Sequence, residues 1–409
     1  MKNVWILNHY AQEPGGSGGT RHYSLAKYLL KYGWQAYIVA ASFELNTGYQ
    51  RLRRRETVRL DLYDGVPFFW LKTPSYRGNG TRRVLNMVCY ALRAMIPYQT
   101  RLLPRPDVVI GSSVHPLAAW AGAIVARRTG VPFFFEVRDL WPQTLIDMGE
   151  LSPNSVIARL LRMLEKWLYR VAERILVLPP RAVDYIEPLG ISPAKIVWLP
   201  NGVDLADFPP PLPPAPREAF VLMYFGAHGN ANGLNNLILA MAELSRRSLP
   251  QPVYLRLLGE GPLKPSLIDQ ARHLKLANVV FEPPVPKRQI PSVAAEADAF
   301  VFNLISSPVF RYGISSNKLF DFMASGRPLL FCSDAVNNPV REANAGMTVP
   351  PGDPTALADA VEELLHMPAQ QRYEMGLNAR RYVEDNHDYA RLAAKLATVL
   401  DEVCQSRDG

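Results

Sequence analysis

Three cysteines in 409 residues, Cys89, Cys332 and Cys404, are too few and too scattered for a disulfide framework or a metal-binding knuckle, so a reducing cytoplasmic setting without a structural metal is expected. No Asp-x-Asp occurs anywhere, which removes the usual pair of carboxylates for a divalent cation on a diphosphate. No apolar run reaches the ~18 residues of a membrane-crossing helix. The apolar start of the chain passes at once into Asn8 and His9, which reads as a first strand and not as a signal peptide. The glycine loop 13–20, Glu-Pro-Gly-Gly-Ser-Gly-Gly-Thr, lacks the Gly-x-Gly-x-x-Gly spacing of a dinucleotide turn, and strand 35–41 after it ends without an acid for a ribose. Nicotinamide chemistry is thereby disfavoured. Recognisable nucleic-acid modules are missing too, the basic residues being scattered and not interleaved with aromatics.

At 48% hydrophobic residues the chain can bury sizeable cores, and its length predicts two domains of about 200 residues each. A stiff linker of six prolines in eight residues, 209–216, marks the boundary. On both sides of it short apolar strands alternate with amphipathic helices, so the fold class is α/β with two Rossmann-like domains, 1–208 and 217–385. The formal charge of +8 is uneven: residues 1–200 carry 26 Lys and Arg against 14 Asp and Glu, a surplus of 12 that leaves the remainder at −4. The first half is expected to meet an acidic partner, a membrane surface or a lipid diphosphate, at about 1 kcal/mol per basic side chain near anionic lipid. Helix 82–96 sets Val84, Val88, Leu92 and Met95 at helical spacing among arginines; it either packs on its own sheet or lies in a membrane interface. Helix 155–174, with Ile157, Leu160, Leu164 and Leu168 on one face, reads as core. The basic run 51–59 is expected to be mobile.

The stretch 312–328, Tyr-Gly-Ile-Ser-Ser-Asn-Lys-Leu-Phe-Asp-Phe-Met-Ala-Ser-Gly-Arg-Pro, reads as an anion-binding device in one piece. Ser315 and Ser316 are good N-caps, Gly326 closes a helix and Pro328 cannot continue it, which predicts a helix over 317–325 opening behind Gly313. Free amides at such a start favour an anion by roughly 0.3 to 1 kcal/mol before Lys318 adds its charge. Asp321, four residues after Asn317, shares its helix face and is placed to accept hydrogen bonds from ribose hydroxyls. A surface pair between Lys318 and Asp321 is the plainer alternative.

In the first half, Phe133 to Phe135 are too apolar to be anything but interior. Glu136, Arg138 and Asp139 therefore emerge at the carboxyl end of a central strand, where open α/β sheets keep their sites. Asp139 is the candidate for orienting or deprotonating an acceptor hydroxyl, or for stabilising positive charge. A structural network among Glu136, Arg138 and Asp139 is the alternative. His22 and His115 read as satisfied or solvent-facing histidines.

The run Lys-Leu-Phe-Asp-Phe-Met-Ala-Ser-Gly-Arg-Pro-Leu-Leu from Lys318 resembles the second half of the Glu-x7-Glu signature of family 4 of the retaining glycosyltransferases. The likeness extends over nearly the whole chain, through Asn201-Gly202-Val203-Asp204, the Gly259-Glu260-Gly261 loop with Lys264, and Asn278-Val279-Val280-Phe281. It implies the GT-B fold: two Rossmann-like domains facing across a cleft, the first binding an acceptor, the second a nucleotide-sugar, and helix 386–409 packing back on the first. Tyr-Gly-x-Ser-x-Asn-Lys-Leu-Phe from Tyr312 also resembles the O-antigen and capsule branch that includes N-acetylfucosamine transferases.

Carried over residue by residue, the resemblance gives Asp321 the ribose and sets the signature's first acid on Gly313, which has no side chain. The histidine usual at the end of the strand through Phe135 is replaced by Arg138 or Asp139. The arginine and lysine usual in the loop after strand 219–226 are missing, leaving the diphosphate to His228, Asn230, Asn232, nearby amides and Lys318, with Arg311 a further candidate. The implied donor site is Gly18, Gly19, His228, Asn230, Gly313, Ser315, Ser316, Asn317, Lys318, Leu319 and Asp321; the catalytic candidates are Asp139, Arg138 and Glu136. The expected reaction is a metal-independent, retaining transfer from a UDP-sugar, with no other cofactor, to an undecaprenyl-diphosphate-linked glycan. The expected place is the cytoplasm, peripheral on the inner face of the cell membrane, with no nucleic-acid partner. A nucleotide-sugar epimerase of the same fold and a non-catalytic sugar-nucleotide-binding protein are the alternatives.

Overall fold

The computed structural model describes the chain except residues 15, 17–19, 45–46, 79, 114, 214–216 and 409. Two compact units emerge, Met1–Asn201 with Tyr389–Gly409, and Gly202–Asp388. The division falls ahead of the proline run. Val203 and Phe208 already belong to the second core, so the chain changes unit at the Asn201-Gly202 turn and not in the linker.

In chain order the first unit contains β1 (Lys2–Leu7), α1 (Arg21–Leu29), β2 (Trp34–Ala41), β3 (Val58–Tyr63), β4 (Val66–Leu71), α2 (Thr81–Met95), α3 (Pro97–Thr100) and β5 (Val108–Ser112). It continues with α4 (Pro116–Thr129), β6 (Phe133–Val137), α5 (Gln143–Asp147), α6 (Val156–Val171), β7 (Arg174–Val177), α7 (Val183–Ile186) and β8 (Ile196–Trp198). The sheet order is β3-β4-β2-β1-β5-β6-β7-β8, parallel except for β3 against β4. Parallel strands covered on both faces must be apolar on both, and β4, β5 and β6 are buried at every residue. Strand β3 escapes a sequence reading because it is an edge: Arg59 and Asp61 pair along it, 2.9 Å apart, in place of apolar alternation. The basic run begins just as unexpectedly: Arg51 is buried, paired to Glu13 and Glu44 and stacked over Trp70, so it is held and not mobile.

The second unit contains β9 (Phe220–Phe225), α8 (Asn235–Leu244), β10 (Val253–Leu258), α9 (Lys264–His273), β11 (Val279–Glu282), α10 (Ile290–Ala294) and β12 (Ala299–Asn303). Then come α11 (Asn317–Ala324), β13 (Leu329–Cys332), α12 (Pro339–Glu342), β14 (Gly346–Val349), α13 (Pro354–His366) and α14 (Ala369–Asn386). Its six parallel strands run β11-β10-β9-β12-β13-β14, so connections diverge on either side of the β9/β12 pair. That divergence leaves a crevice at the strands' carboxyl ends. The chain closes with α15 (Tyr389–Asp408), which packs against α1 in the first unit and seals one face of that sheet with Leu392, Leu396 and Leu400.

Helix α11 is fixed from behind by α14. Arg380 donates to the Ala324 carbonyl at 3.1 Å, capping the helix end, and His387 stacks on Phe320 with ring centroids 3.7 Å apart. The close approach depends on Gly376, where an added Cβ would lie 2.1 Å from the Gly326 carbonyl oxygen. Gly376→Ala should therefore destabilise the protein by about 1–3 kcal/mol through overpacking, read from urea unfolding; an unchanged midpoint would show that α11 is not held this way.

Candidate functional site

In the second unit the chain leaves β9 at Gly226, loops through His228 to Gly233 and enters α8, while β12 delivers Asn303 beside that loop. The Asn303 amide donates to the carbonyls of Asn232 and Gly233 at 2.8 and 3.1 Å and stitches the two strand ends together. Gly233 has φ +53°, and a Cβ there would sit 2.9 Å from the Asn303 amide nitrogen, so glycine is needed on both counts. Helix α11 opens onto this stitched loop. Its first-turn amides, at Asn317 and Lys318, have no intrahelical acceptor by geometry. Ser316 is the N-cap residue, in extended conformation, without a side-chain capping bond.

Lys318 is the cation at this helix start. Its ammonium donates to the Tyr224 hydroxyl at 2.9 Å and to the Asn232 side-chain oxygen, and lies over the rings of Tyr224 and Phe302 at 4.8 and 5.4 Å. No carboxylate is among these partners, and burial pulls its pKa down to about 7. Asp321 is 4% exposed; Lys287 donates to one carboxylate oxygen, and the other has no partner. Burial raises the Asp321 pKa against the pull of Lys287. The side-chain oxygen of Asn317 is also buried without a partner.

His228 is fully buried, both ring nitrogens lack partners, and burial with Lys264 nearby lowers its pKa to about 4, so it is a neutral imidazole. Asn230 is exposed at the start of a single 3₁₀ turn. Gly313 is buried with φ +88°, a position that favours glycine, and Ser315 is half-buried. The predicted donor residues Gly313, Ser315, Ser316, Asn317, Lys318 and Asp321 are thus gathered at one crevice with His228. Leu319 does not join them, because its side chain is core and its amide donates to the Ser316 carbonyl. Gly18 and Gly19 lie outside the described residues. Lys264 serves the scaffold, donating to the carbonyls of Gly259 and Glu282 at 2.8 and 2.9 Å.

In the first unit Glu136 is the hub of a closed network. It accepts from Arg21 at 2.9 Å, His22 at 2.7 Å and Ser112 at 2.6 Å, and Arg21 also donates to the carbonyls of Leu199, at 2.8 Å, and Pro200. Burial alone would push its carboxyl up, but His22 and the Arg21 guanidinium outweigh it and hold the pKa well below the usual carboxylate range. Every oxygen of this buried anion is engaged with protein, which makes it a positioning group for β5, β6 and α1. Arg138 and Asp139 follow it outward: the Arg138 amide is held by Ser113 at 3.1 Å, and Asp139 is exposed. His22 is satisfied, as the sequence predicts; His115 is instead buried with both nitrogens unpartnered, beside His9 at a centroid distance of 4.8 Å. Among the described residues no three His, Cys, Asp or Glu side chains are gathered for a metal ion.

Residues 16–202 match the family described as "Glycosyl transferase 4-like domain", and residues 219–367 match "Glycosyl transferases group 1". The chain is a glycosyltransferase of the two-domain GT-B fold. It is 24% identical over 274 residues, 64% of this chain and 67% of the relative, to the "Probable glycosyltransferase WbjE" of Pseudomonas aeruginosa. It spans 58 to 78% of the length of the curated relatives it matches. Among solved structures, sucrose-phosphate synthase of Thermosynechococcus elongatus superposes with a TM-score of 0.76 at 16% identity, covering 99% of this chain and 100% of that one. The Anabaena protein HepE, in complex with UDP and glucose, gives 0.68 at 16% identity over 98% and 100% of the two chains.

For this glycosyltransferase the sequence reading missed Lys287, Tyr224 and Asn303. Tyr224 lies 94 residues before Lys318, Asn303 ends the strand ahead of the helix but acts on the loop after β9, and Lys287 reaches Asp321 from 34 residues away; no local pattern marks them. The state of Lys318 has a measurable consequence. A diphosphate at α11 favours the charged ammonium, so binding above pH 7 must take up a proton. UDP affinity should fall as pH rises from 7 to 9, by up to about tenfold per unit, with proton uptake visible by calorimetry in buffers of different ionisation enthalpy. Lys318→Met should abolish the uptake; an unchanged pH profile in that variant would show that another group titrates.

Proposed function

We propose that this glycosyltransferase moves a sugar from a UDP-sugar donor, with retention of configuration and without a divalent metal, onto a lipid-diphosphate-linked glycan. The observation that carries the reading is α11: its open N-terminus, Lys318 and the half-partnered Asp321 converge at the β9/β12 crevice. Helix amides and Lys318 take the charge of the departing nucleoside diphosphate, and Asp321, steadied by Lys287, accepts from the ribose hydroxyls. The neutral His228 and the Asn230–Asn232 turn offer polar groups to the diphosphate in place of an arginine and lysine. In a retaining transfer the acceptor hydroxyl attacks on the face the nucleotide leaves. Arg138 and Asp139 are the first unit's groups for orienting that hydroxyl or facing charge at the anomeric carbon.

UDP as the nucleotude's identity is supported by the complex of the similarly folded HepE with UDP and glucose. The Tyr312–Phe320 wording supports an N-acetylated deoxyhexose or hexosamine, and with it a place in bacterial O-antigen or capsule synthesis. Such acceptors are carried on undecaprenyl diphosphate, which puts the enzyme on the cytoplasmic face of the membrane, with its basic first half toward the lipid. No helix among the described residues is long and apolar enough to cross a membrane, so the contact in this reading is peripheral.

A thermal-shift panel of UDP, GDP, ADP and dTDP without added metal tests the donor site. A nucleotide at about 100 times its dissociation constant stabilises by about 2.7 kcal/mol. UDP should shift the wild type and fail to shift Asp321→Ala; no shift from any of the four would refute the assignment of the crevice.

A further inference from the structure

Helices α2, α4 and α6 lie side by side on one face of the first unit's sheet, with α4 packed against both neighbours. The outer surface of such a layer is ordinarily polar throughout, and here an apolar stripe runs among its basic side chains. Helix α6, which its periodicity assigns to the core, exposes Val156, Ile157, Leu160 and Met163 at 67%, 61%, 56% and 61%. On α2, Val84 and Leu85 are 55% and 59% exposed. Helix α6 carries two apolar faces, and periodicity alone does not say which one looks inward. Ala158, Leu168 and Tyr169 fill the inner one, and the stripe beginning at Val156 is left over.

Position and charge say what this stripe meets. Val84 and Leu85 open α2, and Val156, Ile157 and Leu160 open α6; these helices follow β4 and β6, so this end of the stripe lies at the carboxyl edge of the sheet with Arg138 and Asp139, while Leu92, Met163 and Val171 carry it further along the layer. The three helices carry nine basic side chains, among them Arg82, Arg159, Arg162 and Arg170, and one acid. That acid, Glu165, is turned inward, accepting from the hydroxyls of Tyr169 and Tyr185 at 3.0 Å each. A second copy of this chain would bring arginines against arginines, which disfavours self-association. The exposed apolar residues of the three helices are aliphatic or methionine and interleaved with arginine; Trp120 and Trp167 are only half-buried beside them, and no fully exposed aromatic of the kind that anchors protein interfaces stands on these helices. Aliphatic side chains among cations on a convex helix are the chemistry of an anionic lipid surface.

We propose that the α2–α4–α6 face seats on an anionic bilayer, with Ile157 and Leu160 among the acyl chains and Arg159 and Arg162 at the headgroups. The strand edge that bears Arg138 and Asp139 is then held at the membrane, where a lipid-linked acceptor arrives. This deepens the membrane part of the proposed function and does not depend on the donor assignment.

Flotation of the full chain with phosphatidylcholine vesicles, with and without phosphatidylglycerol, decides it. The wild type should float with the anionic vesicles and not with the neutral ones, and raised salt should weaken the binding. Ile157→Ser with Leu160→Ser should cut partitioning at least tenfold, and Arg159→Gln with Arg162→Gln should remove the preference for phosphatidylglycerol. The thermal unfolding transition checks that each variant folds; should the serine pair fail, Leu85→Ser with Met163→Ser gives the same decision. Anionic-vesicle binding unchanged by the serine variants would overturn the proposal. So would a wild type that ignores vesicles, whether or not light scattering finds it associated with itself. The UDP shift is read separately, so a failed donor site and a failed membrane face give different results.

Discussion

A lysine held over two aromatic rings, with hydroxyl and amide oxygens for partners and no carboxylate, is the constraint on which the second unit depends. Desolvation makes its charge costly, which is what brings its pKa to about 7, and the amides of the α11 start add to the local positive potential. The surroundings are arranged to keep this unrelieved charge in place. Asn303 ties the two strand ends that carry the rings and the loop, and α14 closes against α11 through a glycine contact that admits no Cβ. Such a site is preorganised for an anion that brings its own charge, because the protein has already borne the cost of desolvating the ammonium.

The first unit solves the opposite problem. Its buried carboxylate, Glu136, is surrounded by donors from α1 and β5 and is satisfied within the protein. Asp321 in the second unit has one oxygen on Lys287 and one without a partner. A buried anion with all its acceptors engaged locks strands together; one with an acceptor left over is prepared to receive donors from outside. The contrast separates a carboxylate closed within the protein from one with an acceptor to spare, a difference that neither residue's neighbours in the sequence reveal.

What was legible in the sequence follows the range of the interactions. The α11 device could be read because caps, glycine, proline and the Asn317–Asp321 spacing are all local, and the alternation of strands and helices is a repeated local signal. Lys287 could not be read, since it lies in the crossover from β11 to β12 and meets Asp321 of α11 only through the tertiary fold. Nor could the hub at Glu136, which joins residues from α1, β5 and β6. Helix α6 misled for a different reason: periodicity reports that a face is apolar, and only the packing of α4 beside it decides whether that face looks inward. Strand β3 was hidden by its charges, as edge strands often are.

Whether the Lys318 ammonium is poised for a nucleotide diphosphate can be decided by amine acylation mapped by mass spectrometry at pH 8. With a pKa of about 7 the side chain is largely the nucleophilic free amine at that pH, unlike ordinary lysines. Lys318 should be acylated ahead of the exposed lysines, and saturating UDP should protect it while leaving the others unchanged. Labelling of Lys318 at the rate of the other lysines, indifferent to UDP, would contradict it.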